Sequence, residues 1–190
     1  MEFSKNLHEL LDQQIFFQKL IWFMLTGSIF VYIFIAFIIT TQLKLEFADM
    51  PDSVFLIVKI LSFGCGIAAI FLRKHILSDE YVKSRISKEN SPEDLAKLVK
   101  SGKPILDLVG KIEKLTPPER EIYGACKWYF RAEIICLALG DNVVILGFLN
   151  SILVKNWQSI LPYAGVTLAL NFAMFPRFHH FIRAYLKAEI

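Results

Sequence analysis

The chain has 190 residues, of which 55% are hydrophobic and only 21% are charged, a balance too apolar for an ordinary soluble domain. Its net charge is +3, and no nucleic-acid-binding motif is present, so nucleic acid is not predicted as a partner. The three cysteines show no C-x-x-C spacing, which disfavours a disulfide scaffold, structural zinc or any other metal site.

Residues 1–19 precede the first apolar stretch and carry apolar side chains at helical spacing. Leu7, Leu10, Leu11 and Ile15 belong to this pattern. It predicts an interfacial amphipathic helix that lies along the inner membrane surface before the chain turns into the bilayer.

Four long apolar stretches follow, at residues 20–41, 54–72, 132–153 and 159–175. Each is close to the ~20 residues that a helix needs to cross ~30 Å of hydrocarbon. The first is too long for a signal-peptide core and lacks an A-x-A cleavage site, so it is expected to remain as a span. The predicted fold is an all-α membrane protein with a four-helix transmembrane bundle.

The positive charges predict the topology. Residues 73–127 form a helical insert with twelve Lys and Arg residues, whereas the two short loops have only Lys44 and Lys155. Because Lys and Arg are retained in the cytoplasm, the insert, the N-terminus and the tail 176–190 are placed there. The basic insert favours anionic lipids at the cytoplasmic face. Small size and the lack of a targeting segment favour a bacterial inner membrane.

A short repeat closes the second and fourth spans. Phe71-Leu72-Arg73-Lys74-His75 and Phe175-Pro176-Arg177-Phe178-His179 share Phe, Arg and His in the same order. The match suggests two parallel hairpin repeats, but aromatic and basic residues recur at any inner interface. His75 and His179 sit at the bundle edge rather than within it, so no haem or other cofactor is predicted.

Within the insert, Pro and Gly residues punctuate short helices. Ser91-Pro92-Glu93-Asp94 is a helix start and Gly102 a helix end, while Pro104 opens another helix. The apolar stripe of that helix either packs on its neighbours or binds a partner protein. Thr116-Pro117-Pro118-Glu119 is predicted to begin a helix that runs directly into the third span.

Asp141 lies about halfway along the third span, where an ionised carboxylate costs at least ~2.5 kcal/mol. Such a group is paired, hydrogen-bonded or protonated. Asn142, Ser28 and Lys59 are predicted to accompany it, with Thr26 also at a suitable depth. This set is either a proton or cation site or a polar contact that fixes helix packing.

Near the inner end of the third span lies a second predicted polar cluster, formed by Arg131, Glu133, Asn171 and Arg177. Glu133 is expected to meet Asn171 or Arg177 of the fourth span. An interfacial ion pair is the favoured role, since charges at this depth reach water.

The segment Ala138-Leu139-Gly140-Asp141-Asn142-Val143-Val144-Ile145-Leu146-Gly147-Phe148-Leu149 resembles the second helix of the proteolipid (c) subunits of rotary ATPases. That family has Ala-Leu, an acid two residues later, Ile four further on, then Gly and an apolar pair. The resemblance covers residues 138–149 and implies that Asp141 corresponds to the ion-carrying carboxylate. The insert 73–127 and the two additional spans depart from that family.

No P-loop, G-x-S-x-G or H-E-x-x-H motif occurs in the sequence, which disfavours an enzyme. Two function classes remain. One is a non-catalytic accessory, assembly or interaction subunit, in which Asp141 fixes helix packing and the insert is a docking surface. The predicted partners are the lipid bilayer and either another membrane protein or a second copy of the chain. The other is a proton- or cation-linked translocating protein that uses Asp141.

Overall fold

The computed structural model describes residues 4–43, 51–78, 80–82, 84, 110–112, 114–177, 181 and 183. All regular secondary structure in these residues is helical. Helix α1 spans Lys5–Ile38 and continues as a π-helical turn, Ile39–Leu43; α2 spans Asp52–Ile76 and α3 spans Pro117–Leu153. A 3₁₀ turn, Trp157–Ile160, leads into α4, Leu161–Ala173. The predicted all-α class is therefore confirmed.

Among the described residues, three helical segments are long and apolar enough to cross a membrane. They are Lys5–Gln42, Asp52–Ile76 and Pro117–Leu153. The α4 helix has 13 residues, fewer than the ~20 that a bilayer requires. The coarser prediction of an integral membrane protein is thus supported, whereas four spans, a four-helix bundle and a hairpin repeat stay predictions.

The side chains exposed on α1 are those that lipid would solvate. Phe23, Phe30 and Phe34 are 72%, 60% and 62% exposed, and their spacing puts them on one face of the helix. On α2, Phe63 and Phe71 are 73% and 69% exposed. An apolar face of this extent is rare on a soluble protein, and it is consistent with helices surrounded by hydrocarbon.

The predicted turn between the interfacial helix and the first span is wrong, although the division of the chain into compact units does fall between residues 19 and 20. No turn separates an interfacial helix from the first span, because α1 is continuous from Lys5 to Ile38. At 1.5 Å per residue its 34 residues give a length of roughly 50 Å. Polarity changes at Lys19, but no Pro or Gly interrupts the helix there, so its hydrogen bonds continue.

The predicted helix start at Thr116–Glu119 is confirmed, since α3 begins at Pro117 and runs through the third apolar stretch without a break. The predicted helix signals between residues 91 and 109 lie outside the described residues, as does Lys44. Helix α2 extends to Ile76, a few residues into the segment assigned to the insert.

The chain divides into two compact units. The first contains residues 1–19, 75–132 and 176–190, and the second contains residues 20–74 and 133–175. In the first unit, Leu7, Leu11, Val82 and Tyr129 are buried, and the rings of Tyr129 and Phe181 stack at 4.4 Å.

The core of the second unit forms where α1, α3 and α4 meet. Ile29 and Ala36 of α1 pack with Val144 of α3 and with Ile160 and Ala164 at the start of α4. Tyr32 and Phe148 lie against this cluster, with ring centroids 5.7 Å apart.

In the first unit, Glu119 joins the starts of two helices. Its Oε1 accepts the Ser4 N–H at 2.6 Å, and its Oε2 accepts both the N–H and the hydroxyl of Thr116 at 2.8 Å. Ser4 in turn caps α1, because its Oγ accepts the Leu7 N–H at 3.3 Å. Burial acts to raise the pKa of Glu119, but these hydrogen bonds outweigh it and lower the pKa from 4.5 to about 2.

This lowered pKa predicts a dependence of stability on pH. Because the folded-state pKa is below the unfolded one, ionised Glu119 stabilises the fold fully above pH 4.5, and the contribution is lost as the pH falls from 4.5 towards 2. We expect Glu119→Gln to lower the free energy of unfolding by roughly 1–2 kcal/mol at pH 7 and to flatten its pH dependence below pH 4.5. Unfolding in detergent between pH 7 and 3 would measure both effects.

Glu121→Gln is the matched control, since Glu121 is exposed on the same helical turn. If the two variants lose equal stability, Glu119 does not hold the helix starts together.

Candidate functional site

The candidate site lies in the second unit, where Asp141 of α3 meets Asn171 of α4. Asp141 is 5% exposed and Asn171 is fully buried. The Asn171 Nδ2 donates to Asp141 Oδ1 at 3.3 Å and lies 3.4 Å from the Oγ1 of Thr26 on α1. The three side chains, which we call the polar clasp, therefore connect three helices.

Two further hydrogen bonds flank the polar clasp. Trp22 of α1 donates its indole N–H to the backbone carbonyl of Asn171 at 2.8 Å. This carbonyl is in the last turn of α4, where carbonyls lack partners within the helix. Thr167 Oγ1 lies 3.4 Å from the backbone carbonyl of Gly140. The polar contacts thus continue along the facing sides of α3 and α4.

Small residues on α3 allow α4 to come close. A Cβ at Gly140 would sit 3.7 Å from Asn171 Oδ1, which is ordinary contact. A Cβ at Gly147 would overlap the Cβ of Tyr163, so only glycine fits there. Gly140 and Gly147 are seven residues apart and share one face, and such faces let membrane helices pack tightly.

One polar atom of the polar clasp has no partner within the described part of the chain. The Asn171 Oδ1 is buried and makes no hydrogen bond to any described residue. A buried acceptor of this kind costs free energy unless a donor reaches it. A protonated Asp141 would supply a hydrogen-bond donor for the Asn171 Oδ1, and a small cation would supply a positive charge for this oxygen to coordinate.

The structure brings together only part of the predicted Asp141 set. Ser28 Oγ donates to the Leu25 carbonyl of its own helix at 2.7 Å. Asn142 is exposed and donates to the Ala138 carbonyl at 3.1 Å. Lys59 is exposed on α2 and lines a cleft with Pro162 and Tyr163. Thr26, named as a partner by depth, contacts Asn171 rather than Asp141 itself, so it is linked to Asp141 through the Asn171 amide.

The predicted partners of Glu133 are corrected. Glu133, which is 1% exposed, forms an ion pair with Arg73 of α2. The Arg73 Nη2 and Nε lie 3.0 and 3.3 Å from Glu133 Oε1. Asn171 instead belongs to the polar clasp, while Arg131 and Arg177 have exposed side chains. In the first unit, the Arg177 backbone N–H donates to the Tyr129 hydroxyl at 3.3 Å.

Asn171 contacts Asp141 rather than the predicted Glu133, and the sequence carries a signal for this pairing. Asp141 and Asn171 are each fifteen residues from Asn156, which lies in the connection between α3 and α4. In an antiparallel helical hairpin, positions equally distant from the loop lie at the same depth. Trp22 lies in the first apolar stretch, where a buried indole N–H requires an acceptor.

Within the described part of the chain, no group of three or more His, Cys, Asp or Glu side chains is placed to hold a metal ion. His179 and His180 fall outside that part. Cys65, Cys126 and Cys136 are free thiols.

Comparisons of this chain with protein-family models, with curated proteins and with solved structures find no match to any of them.

Proposed function

We propose that this integral membrane protein is a non-catalytic accessory, assembly or interaction subunit. In this proposal Asp141 joins helices rather than carrying an ion. The observation that supports it best is that four predicted polar side chains of the spans, both carboxylates of the third span among them, form hydrogen bonds within the second unit. Asp141 is held by Asn171, Glu133 by Arg73, and Ser28 and Asn142 by their own helices. A translocation path would instead need a chain of polar groups leading from the midplane to water.

The proposed arrangement has four spans with both termini in the cytoplasm, in a bacterial inner membrane. The concentration of Lys and Arg in residues 73–127 supports this orientation. Anionic lipids would contact that basic segment. The exposed aromatic face of α1, with Phe23, Phe30 and Phe34, offers a surface for lipid, for a partner helix or for a second copy of the chain.

Proton- or cation-linked translocation through Asp141 is the second candidate. The unpartnered Asn171 Oδ1 beside the Asp141 carboxylate favours it, because two oxygen acceptors at one point suit a proton or a cation. The resemblance of residues 138–149 to the ion-carrying helix of proteolipid subunits also supports it.

The Asp141→Asn variant separates the two candidates. An amide at this position can still accept the Asn171 N–H, so we expect the free energy of unfolding to change by less than about 1 kcal/mol, within the range of interhelical hydrogen bonds in membranes. We expect equal proton and cation leak from proteoliposomes of wild type and variant. Unfolding in detergent and fluorescence-based flux assays measure these quantities.

The control for this comparison is Asn142→Ala, which changes the neighbouring exposed amide. A flux present in wild type and in Asn142→Ala, but lost in a folded Asp141→Asn protein, would replace the accessory proposal with the translocation one.

A further inference from the structure

A cleft in the second unit combines an apolar interior with a polar mouth. The apolar part has a volume of about 460 Å³ and lies between α2, α3 and α4. It is lined by Phe63, Ile67, Val143, Val166 and Leu170, among others. The polar part, about 900 Å³, shares the lining residues Lys59, Pro162 and Tyr163 with it, so the two parts are adjacent. Both volumes suit a small amphiphilic molecule.

The mouth is lined by a cationic side chain, Lys59, and by two hydrogen-bond acceptors, the Asp52 carboxylate and the Asn150 Oδ1. Asp52 and Lys59 line it and lie seven residues apart on one face of α2. Neither forms an ion pair with a described residue. Asn150 also lines the mouth, is 4% exposed, and its Oδ1 has no hydrogen-bond partner among the described residues.

The charges and acceptors of the mouth indicate which kind of ligand headgroup would bind there. The Lys59 ammonium attracts an anionic group such as a phosphate. The Asp52 carboxylate and the Asn150 oxygen both need a donor, and the carboxylate would repel a headgroup that is only anionic. The matching ligand therefore carries a phosphate and a primary ammonium group, together with an apolar chain for the interior of the cleft.

We propose that this cleft binds one phospholipid with a primary-amine headgroup, of the ethanolamine type. Its phosphate contacts Lys59, its ammonium donates to Asp52 and Asn150, and one acyl chain lies along Val143, Val166 and Leu170. A choline headgroup has no N–H to donate, so it leaves both acceptors without partners. The proposal does not depend on the role of Asp141.

The test is native mass spectrometry of the purified protein after incubation with equal amounts of phosphatidylethanolamine, phosphatidylcholine and phosphatidylglycerol. We expect the ethanolamine lipid to be retained about tenfold more than either of the others, as for a difference of one charge-assisted hydrogen bond.

Three variants test whether the lipid preference arises from binding in the cleft. Circular dichroism checks that each variant keeps its helix content. Asp52→Asn should reduce the preference for ethanolamine over choline, because it removes the carboxylate charge that strengthens the bond to the ammonium. Val166→Trp should reduce retention of all three lipids by filling the apolar part. Lys155→Gln removes an exposed lysine that follows α3 and should change nothing. Equal retention of the ethanolamine and choline lipids, preference for the glycerol lipid, or undiminished ethanolamine selectivity in Asp52→Asn would overturn the proposal.

Discussion

Replacing Arg73 with alanine should lower the free energy of unfolding by about 3 kcal/mol. Arg73 is the ion-pair partner of Glu133, which is 1% exposed. Removing the cation weakens the compensation of a carboxylate that is almost fully buried, which costs more than the pair itself contributes. Denaturation of the purified protein in mixed micelles, followed by circular dichroism, would measure the change.

Two further variants give this prediction its controls. Lys74→Ala removes the same charge from an exposed neighbour and should stay within about 0.5 kcal/mol of wild type. The double variant Arg73→Leu/Glu133→Leu should recover most of the loss, because apolar residues of similar volume replace such pairs well. Equal losses in Arg73→Ala and Lys74→Ala would show that the pair does not hold α2 to α3.

Replacing Gly147 with alanine should destabilise the contact between α3 and α4 by about 1–3 kcal/mol. The new Cβ would overlap the Cβ of Tyr163, an atom fixed to the backbone that no rotamer change can move. The helices must therefore separate, and overpacking of this kind carries a cost of that size. Valine at the same position should be worse. The same micelle unfolding assay would detect the loss.

Gly165→Ala is the matched control for Gly147→Ala. Gly165 is on α4 two residues from Tyr163, and a Cβ there would meet no atom within 4 Å. Alanine also has the higher helix propensity, so this variant should be neutral or slightly more stable. If Gly147→Ala were as stable as Gly165→Ala, the close approach of α3 and α4 would be refuted.

The sequence was sufficient for those features that depend on local pattern. Apolar length predicts the helices around residues 54–72 and 132–153, and Thr116–Glu119 carries the capping residues that begin α3. The position of Asp141 in an apolar stretch marks a buried polar site, because a carboxylate there requires a partner. Each of these inferences depends only on residues close together in the chain.

The pairings between helices were harder to predict from the sequence, because they depend on which helix faces are in contact. Glu133 could have met any cation at its depth, and its pairing with Arg73, sixty residues earlier, needs the register of α2 against α3. The change in polarity at Lys19 predicts a change of direction, but no Pro or Gly there breaks the helix, so α1 continues past it. Lys59 is at a depth from which a long side chain could reach inward, but it faces a different cleft.

The most direct test of the accessory proposal is native mass spectrometry of this protein after gentle extraction from its own membrane. We expect the protein to leave the membrane in a complex with other subunits. We expect the Asp141→Asn variant to stay in the same complex, because that side chain joins helices within the chain. A protein that is monomeric or homo-oligomeric and free of partners would contradict the account and favour translocation through Asp141.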